Sequence, residues 1–180
     1  MQRPLLVFSC ALAAVTLACK DSTTPAVSKT IIFTGNLTAA AEIVTPPAPP
    51  ITSPGSGSFR ITLDTSTNVL TWDVQVNGLT TNINNGHIHG PASASGNASV
   101  ILDFAPGNTL IPAHTFTGFG SANSGRAQGS VTLGSGILRT GGTVNGDSLK
   151  KLLLLGGQTY VNVHTMQNGG GEVRGQIVKP

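Results

Sequence analysis

Two stretches of strict alternation, joined by four polar turn-formers, constrain this chain more than any other feature. Phe59, Ile61 and Leu63 alternate with Ser58, Arg60, Thr62 and Asp64. After Thr65-Ser66-Thr67-Asn68, the apolar series Leu70, Trp72, Val74 and Val76 alternates with Thr71, Asp73, Gln75 and Asn77. Successive side chains of a strand point to opposite faces, so period 2 means one buried face and one polar face. Two such runs bridged by turn residues read as an antiparallel hairpin. Trp72, the one tryptophan, belongs to the apolar series and is expected in the core.

The same grammar recurs along the chain. Residues 30–37 (TIIFTGNL) form a first strand candidate. Pro46, Pro47, Pro49, Pro50 and Pro54 rule out regular pairing through the stretch that follows, which reads as a stiff exposed loop. Gly78 to Gly86 leads into a short strand ending in His87-Ile88-His89-Gly90-Pro91-Ala92, and Val100, Leu102 and Phe104 alternate in the next. Thr115 to Gly125 reads as a Gly/Ser-rich connection before a strand near Gln128–Leu133. One short helix is expected near 148–155, capped by Asp147 or Ser148 and ended by Gly156-Gly157.

The chain closes on Tyr160-Val161-Asn162-Val163-His164, a Gly-rich turn, and Glu172 to Val178. Val161, Val163, Val173 and Ile177 take one face of this hairpin, and Tyr160, Asn162, His164, Glu172, Arg174 and Gln176 the other. Only 9% of the residues are charged, which suits short strands and many turns rather than long exposed helices. The expected fold is all-β: an antiparallel β-sandwich or barrel, Greek-key-like, with that one helix.

The N-terminus is read separately from the fold. Arg3 precedes an apolar run, Leu5 to Leu17, that is short for a membrane span. Thr16-Leu17-Ala18-Cys19 then resembles a lipobox, in which signal peptidase cuts before a cysteine that receives a diacylglycerol. Ala18 and Cys19 fit that pattern, whereas Thr16 stands where Leu is usual. The expected organisation is a lipoprotein signal peptide at 1–18, a polar tether at 19–29 and one domain at 30–180. Lipidation at Cys19 would place the protein in a bacterial cell envelope, held on the outer membrane or cell surface. Cys10 leaves with the signal and Cys19 is acylated, so the domain holds no disulfide, thiolate metal site or cysteine nucleophile.

Charge excludes one class of partner. Without residues 1–18 the chain keeps nine basic against seven acidic side chains, a net +2. The basic residues are scattered, with no basic patch interleaved with aromatics, so nucleic acid is not an expected partner. No Gly-x-Ser-x-Gly elbow and no phosphate-binding Gly-Lys-Thr/Ser loop occurs.

Two segments exceed generic β patterning. His87-Ile88-His89-Gly90-Pro91-Ala92 resembles the His-Ile-His-Gly-Pro-Ala signature of CHRD (chordin) domains. Tyr160-Val161-Asn162-Val163-His164-Thr165, followed by Gly171-Glu172-Val173-Arg174-Gly175-Gln176, is similar to the closing motif of that family. The similarity runs from about residue 31 to 178. One departure is Asn168-Gly169-Gly170-Gly171, where family members often have a Pro before the Gly-Glu. The resemblance implies an extracellular β-sandwich or barrel with no transferable catalytic activity.

His87 and His89 are two apart on one strand, so both side chains share a face, ~7 Å apart along it. With His164 they form a candidate zinc or copper site. The pattern is also similar in outline to Cu/Zn superoxide dismutase. That enzyme needs further histidines, an Asp and a disulfide, and this chain offers only His114 as a spare, in a loop after Pro112. In the competing reading the imidazoles bond backbone carbonyls and the side chains of Asn162, Glu172 or Arg174, with Tyr160 on the same face, or that face is simply solvated. The leading expectation is a non-catalytic, membrane-anchored envelope module with no cofactor, binding a protein or glycan. The alternative is a copper- or zinc-binding β-barrel, redox-active in the manner of superoxide dismutase.

Overall fold

The computed structural model describes residues 29–104, 107–111 and 113–180. The expected signal peptide, Cys19 and the tether up to residue 28 lie outside the described residues.

Among the described residues the domain is all-β and antiparallel, with one short α-helix. Nine strands form a single curled sheet, a half-barrel, in the order β5-β4-β8-β9-β1-β2-β3-β7-β6. They are β1 (Thr30–Thr38), β2 (Ser56–Asp64), β3 (Val69–Asn77), β4 (Ile83–His89), β5 (Val100–Asp103), β6 (Ala113–Thr117), β7 (Gly125–Thr132), β8 (Thr159–Thr165) and β9 (Val173–Ile177). The alternating runs of the sequence make β2 and β3, paired from Ser56↔Asn77 to Asp64↔Val69 around the Thr65–Asn68 turn. Asp64 stiffens that turn by accepting from the backbone of Ser66 and Thr67.

A sheet with one apolar face must cover it, and here the sheet does so by curling. Trp72 on β3 is 3% exposed and stacks on Phe104, just beyond β5, with ring centroids 5.5 Å apart. Phe33, Leu37, Ile61, Leu63, Leu70, Ile88, Val161, Val163 and Ile177 line the same core. The helix, α1 (Gly146–Leu155), adds Leu149 and Leu153 to it.

Three local expectations are revised. The helix is capped by Asn145, whose side chain accepts from the Ser148 amide at 2.9 Å, rather than by Asp147 or Ser148. The helix begins at Gly146, which packs so closely on Gly134 that a Cβ would lie 2.6 Å from its backbone nitrogen. Part of the Thr115–Gly125 connection is strand β6, a five-residue edge strand (AHTFT) too short to show a clear alternation. His114 lies on β6 rather than in a loop, its Nδ1 donating to the Ile111 carbonyl.

Candidate functional site

Strand register puts both sequence motifs on one polar face. His87 pairs with Asn162 and His89 with Tyr160 across β4 and β8. Asn162 pairs with Arg174 and Tyr160 with Gln176 across β8 and β9, while His87 pairs with Asp103 on β5. Val161 and Val163 face the core, so Tyr160, Asn162 and His164 point to the opposite side of the sheet.

That side is not solvated. Tyr160, Asn162 and Arg174 are all buried, and His87, His89 and His164 are 7–8% exposed. The roof is the loop that follows the His-Ile-His-Gly-Pro-Ala motif. Arg174 donates to Asn97 Oδ1 at 2.9 Å, to the Gly96 carbonyl at 2.8 Å and to the Ser93 carbonyl at 3.1 Å. Gln176 donates to the Ala92 carbonyl at 2.8 Å, and the Ala98 amide donates to the Tyr160 hydroxyl at 3.1 Å. One motif therefore clamps the loop of the other.

Beneath this roof the three histidines meet. Each offers one ring nitrogen, and these atoms lie within 4.8 Å of one another. Nδ1 of His87 and Nε2 of His164 are 3.0 Å apart. His89 donates from Nδ1 to the Ala98 carbonyl at 2.9 Å, and His164 from Nδ1 to the Gly169 carbonyl at 3.0 Å. Nε2 of His87 faces Oδ1 of Asp103 at 3.7 Å. Nε2 of His89 is buried and has no hydrogen-bond partner.

The rings are neutral. Burial, with the neighbouring His164, His89 and Arg139, pushes His87 down to about 2. Burial likewise lowers His89 to about 4 against the opposing bond to Ala98, and it lowers His164 as well. A neutral imidazole whose outer nitrogen is held by an acceptor presents a lone pair on the inner one, the form a metal needs. Tetrahedral nitrogens about 2.1 Å from an ion lie ~3.4 Å from one another, so the widest pair of the set must close by more than an ångström to hold one.

The imidazoles of His89 and His164 bond backbone carbonyls. Asn162, Glu172 and Arg174 serve other partners. Asn162 donates to Glu42 at 3.4 Å, and burial raises Glu42 to about 7. Glu172 lies at the end of the closing hairpin in a cage of five donors, from Ser53, Thr80 (amide and hydroxyl), Thr165 and Asn168. Burial alone would raise its pKa, but those hydrogen bonds hold it at about 2. Gly171 joins the two sites: at φ 129°, a Cβ there would fall 2.5 Å from Asn162 Nδ2 and 2.8 Å from Glu42 Oε1.

A family model for the CHRD domain matches residues 33–177. The chain belongs to the CHRD-domain family. No curated protein and no solved structure matches it. Within this CHRD domain the residues that sequence reasoning passed over are Asp103, Asn97, Arg139 and Glu42. Asp103 ends an apolar run, and its position opposite His87 depends on the β4–β5 register. Asn97, Arg139 and Glu42 come from loops and carry no local signal. His114 stands on the edge strand opposite β5 and is outside the histidine group.

Proposed function

We propose that the protein is an exported, lipid-anchored envelope module whose CHRD domain binds rather than catalyses, and that its histidine face holds a first-row transition metal, zinc or copper. The observation that supports this reading is the convergence of His87, His89 and His164. Their outer nitrogens face acceptors, and Nε2 of His89 is buried without a partner. A buried acceptor without a donor costs about 1–3 kcal/mol, and a metal ion satisfies it. An all-nitrogen, thiol-free donor set suits zinc or copper over calcium or magnesium. Binding is favoured over turnover because Tyr160, Arg174, Gln176 and Glu172 are each committed to holding loops in place.

Metal analysis of protein purified without an affinity tag, followed by calorimetric titration with zinc and copper salts, tests the reading. One ion per chain is expected in the wild type, with binding lost in His87→Gln and His164→Gln. Wild-type protein that is folded, carries no metal and gives no binding heat with either ion would overturn it.

A further inference from the structure

The hydrogen bonds around the site assign a proton to each ring, and one proton is in the wrong place for metal binding. Carbonyl oxygens only accept, so the contacts to Ala98 and Gly169 put the protons of neutral His89 and His164 on Nδ1. Nε2 of His164 is then an acceptor, and the 3.0 Å contact has Nδ1–H of His87 as its donor. That leaves Nε2 of His87 bare. It faces Oδ1 of Asp103 at 3.7 Å, beyond hydrogen-bond range, as two acceptors should be. Two of the three inner nitrogens present a lone pair, and the third is masked by a proton.

We propose that Asp103 is the positioning residue that unmasks it. Resting on the metal-binding reading above, the step is a change of tautomer: the proton on Nδ1 of His87 leaves to solvent, and Nε2 takes one up and donates it to Asp103. The ring stays neutral and no net proton is released. The Nδ1 lone pair then joins those of His89 and His164. Asp103 is placed for this by backbone pairing, directly opposite His87 across β4 and β5. Its side chain is 21% exposed and that of His87 10%, so both reach the solvent through which protons exchange. A carboxylate behind a ligating imidazole holds the ring in one tautomer and raises its basicity.

Nitrogen-15 spectroscopy of the imidazole rings, with zinc titrated into the protein, tests the proposal. The signal of His87 is expected to report protonation at Nδ1 without zinc and at Nε2 with one equivalent. Asp103→Ala should weaken zinc binding about 10–100-fold. Asp103→Asn keeps an acceptor oxygen and should recover part of the loss, and both variants should melt like wild type in chelator. Zinc-loaded wild type with His87 still protonated at Nδ1 would overturn the proposal, as would Asp103→Ala binding zinc at full affinity. A chelator melting point lowered in Asp103→Ala and not restored by Asn would make the residue structural only, and also overturn it. Wild type that takes up no zinc fails the site itself, and Asp103's role falls with it.

Discussion

The guanidinium carbon of Arg174 lies 3.5 Å from the centroid of the Tyr160 ring, with both side chains sealed from solvent. Strands β4 and β9 flank β8, so His89 meets the other face of that ring, 4.8 Å between centroids and 5° from parallel. A cation is stacked on an aromatic that is stacked on a candidate ligand, and the same cation clamps the 93–97 loop. Arg174→Lys keeps the charge but loses the planar stack and the fork of donors. The expected loss is about 2–4 kcal/mol. Hydrogen exchange should show the 93–98 amides opening first, and an unchanged denaturation midpoint would contradict the clamp.

Trp72, buried in the core, stacks on Phe104 across the curl of the sheet. Truncation to Ala should cost about 3–5 kcal/mol, a large share of the stability of a domain this size. Trp72→Phe is more informative. The indole Nε1 is buried without a partner, so removing it relieves an unsatisfied donor while most of the ring contact with Phe104 survives. Equilibrium unfolding should place Trp72→Phe within about 1.5 kcal/mol of wild type. A loss as large as that of Ala would mean the indole nitrogen has a partner.

Glu172 and Glu42 give opposite pH dependences. Glu172 is depressed from 4.5 to about 2, so its stabilisation is complete above pH 4.5 and is lost as pH falls towards 2. Glu42 is raised from 4.5 to about 7, so its contribution is complete below pH 4.5 and is lost as pH rises through 7. Glu42→Gln should therefore stabilise the protein at pH 8 by about 1–3 kcal/mol and leave it unchanged at pH 4.5. Glu172→Gln should destabilise at neutral pH and flatten the acid limb. Melting curves from pH 3 to 8 that run parallel in all three proteins would refute both assignments.

The anchor lies outside the described residues and is tested by itself. If Cys19 is acylated, Cys19→Ala should either move the protein to the soluble fraction or accumulate the uncleaved precursor. Wild type processed to a soluble form without lipid, by mass spectrometry, would rule out the lipobox.

By itself the sequence determined what is local or periodic. Alternation set β2, β3 and the closing hairpin, including which side chains leave the core side, because the two-residue period of a strand is a property of the backbone. The paired motifs identified the family for the same reason: their residues are contiguous. The tertiary structure alone decided where the strands pair and what covers them. Whether the polar face of β8 and β9 meets water or a roof depends on a loop some 80 residues earlier in the chain, held by Arg174 and Tyr160. His87 and His164 are 77 residues apart, and their 3.0 Å approach follows from β4 pairing with β8 rather than from either motif. Asp103 shows the limit most clearly. It is an ordinary polar residue at the end of an apolar run until strand register sets it across from His87. Register is a long-range pairing, fixed by the burial of a whole sheet face, and no window of sequence contains it.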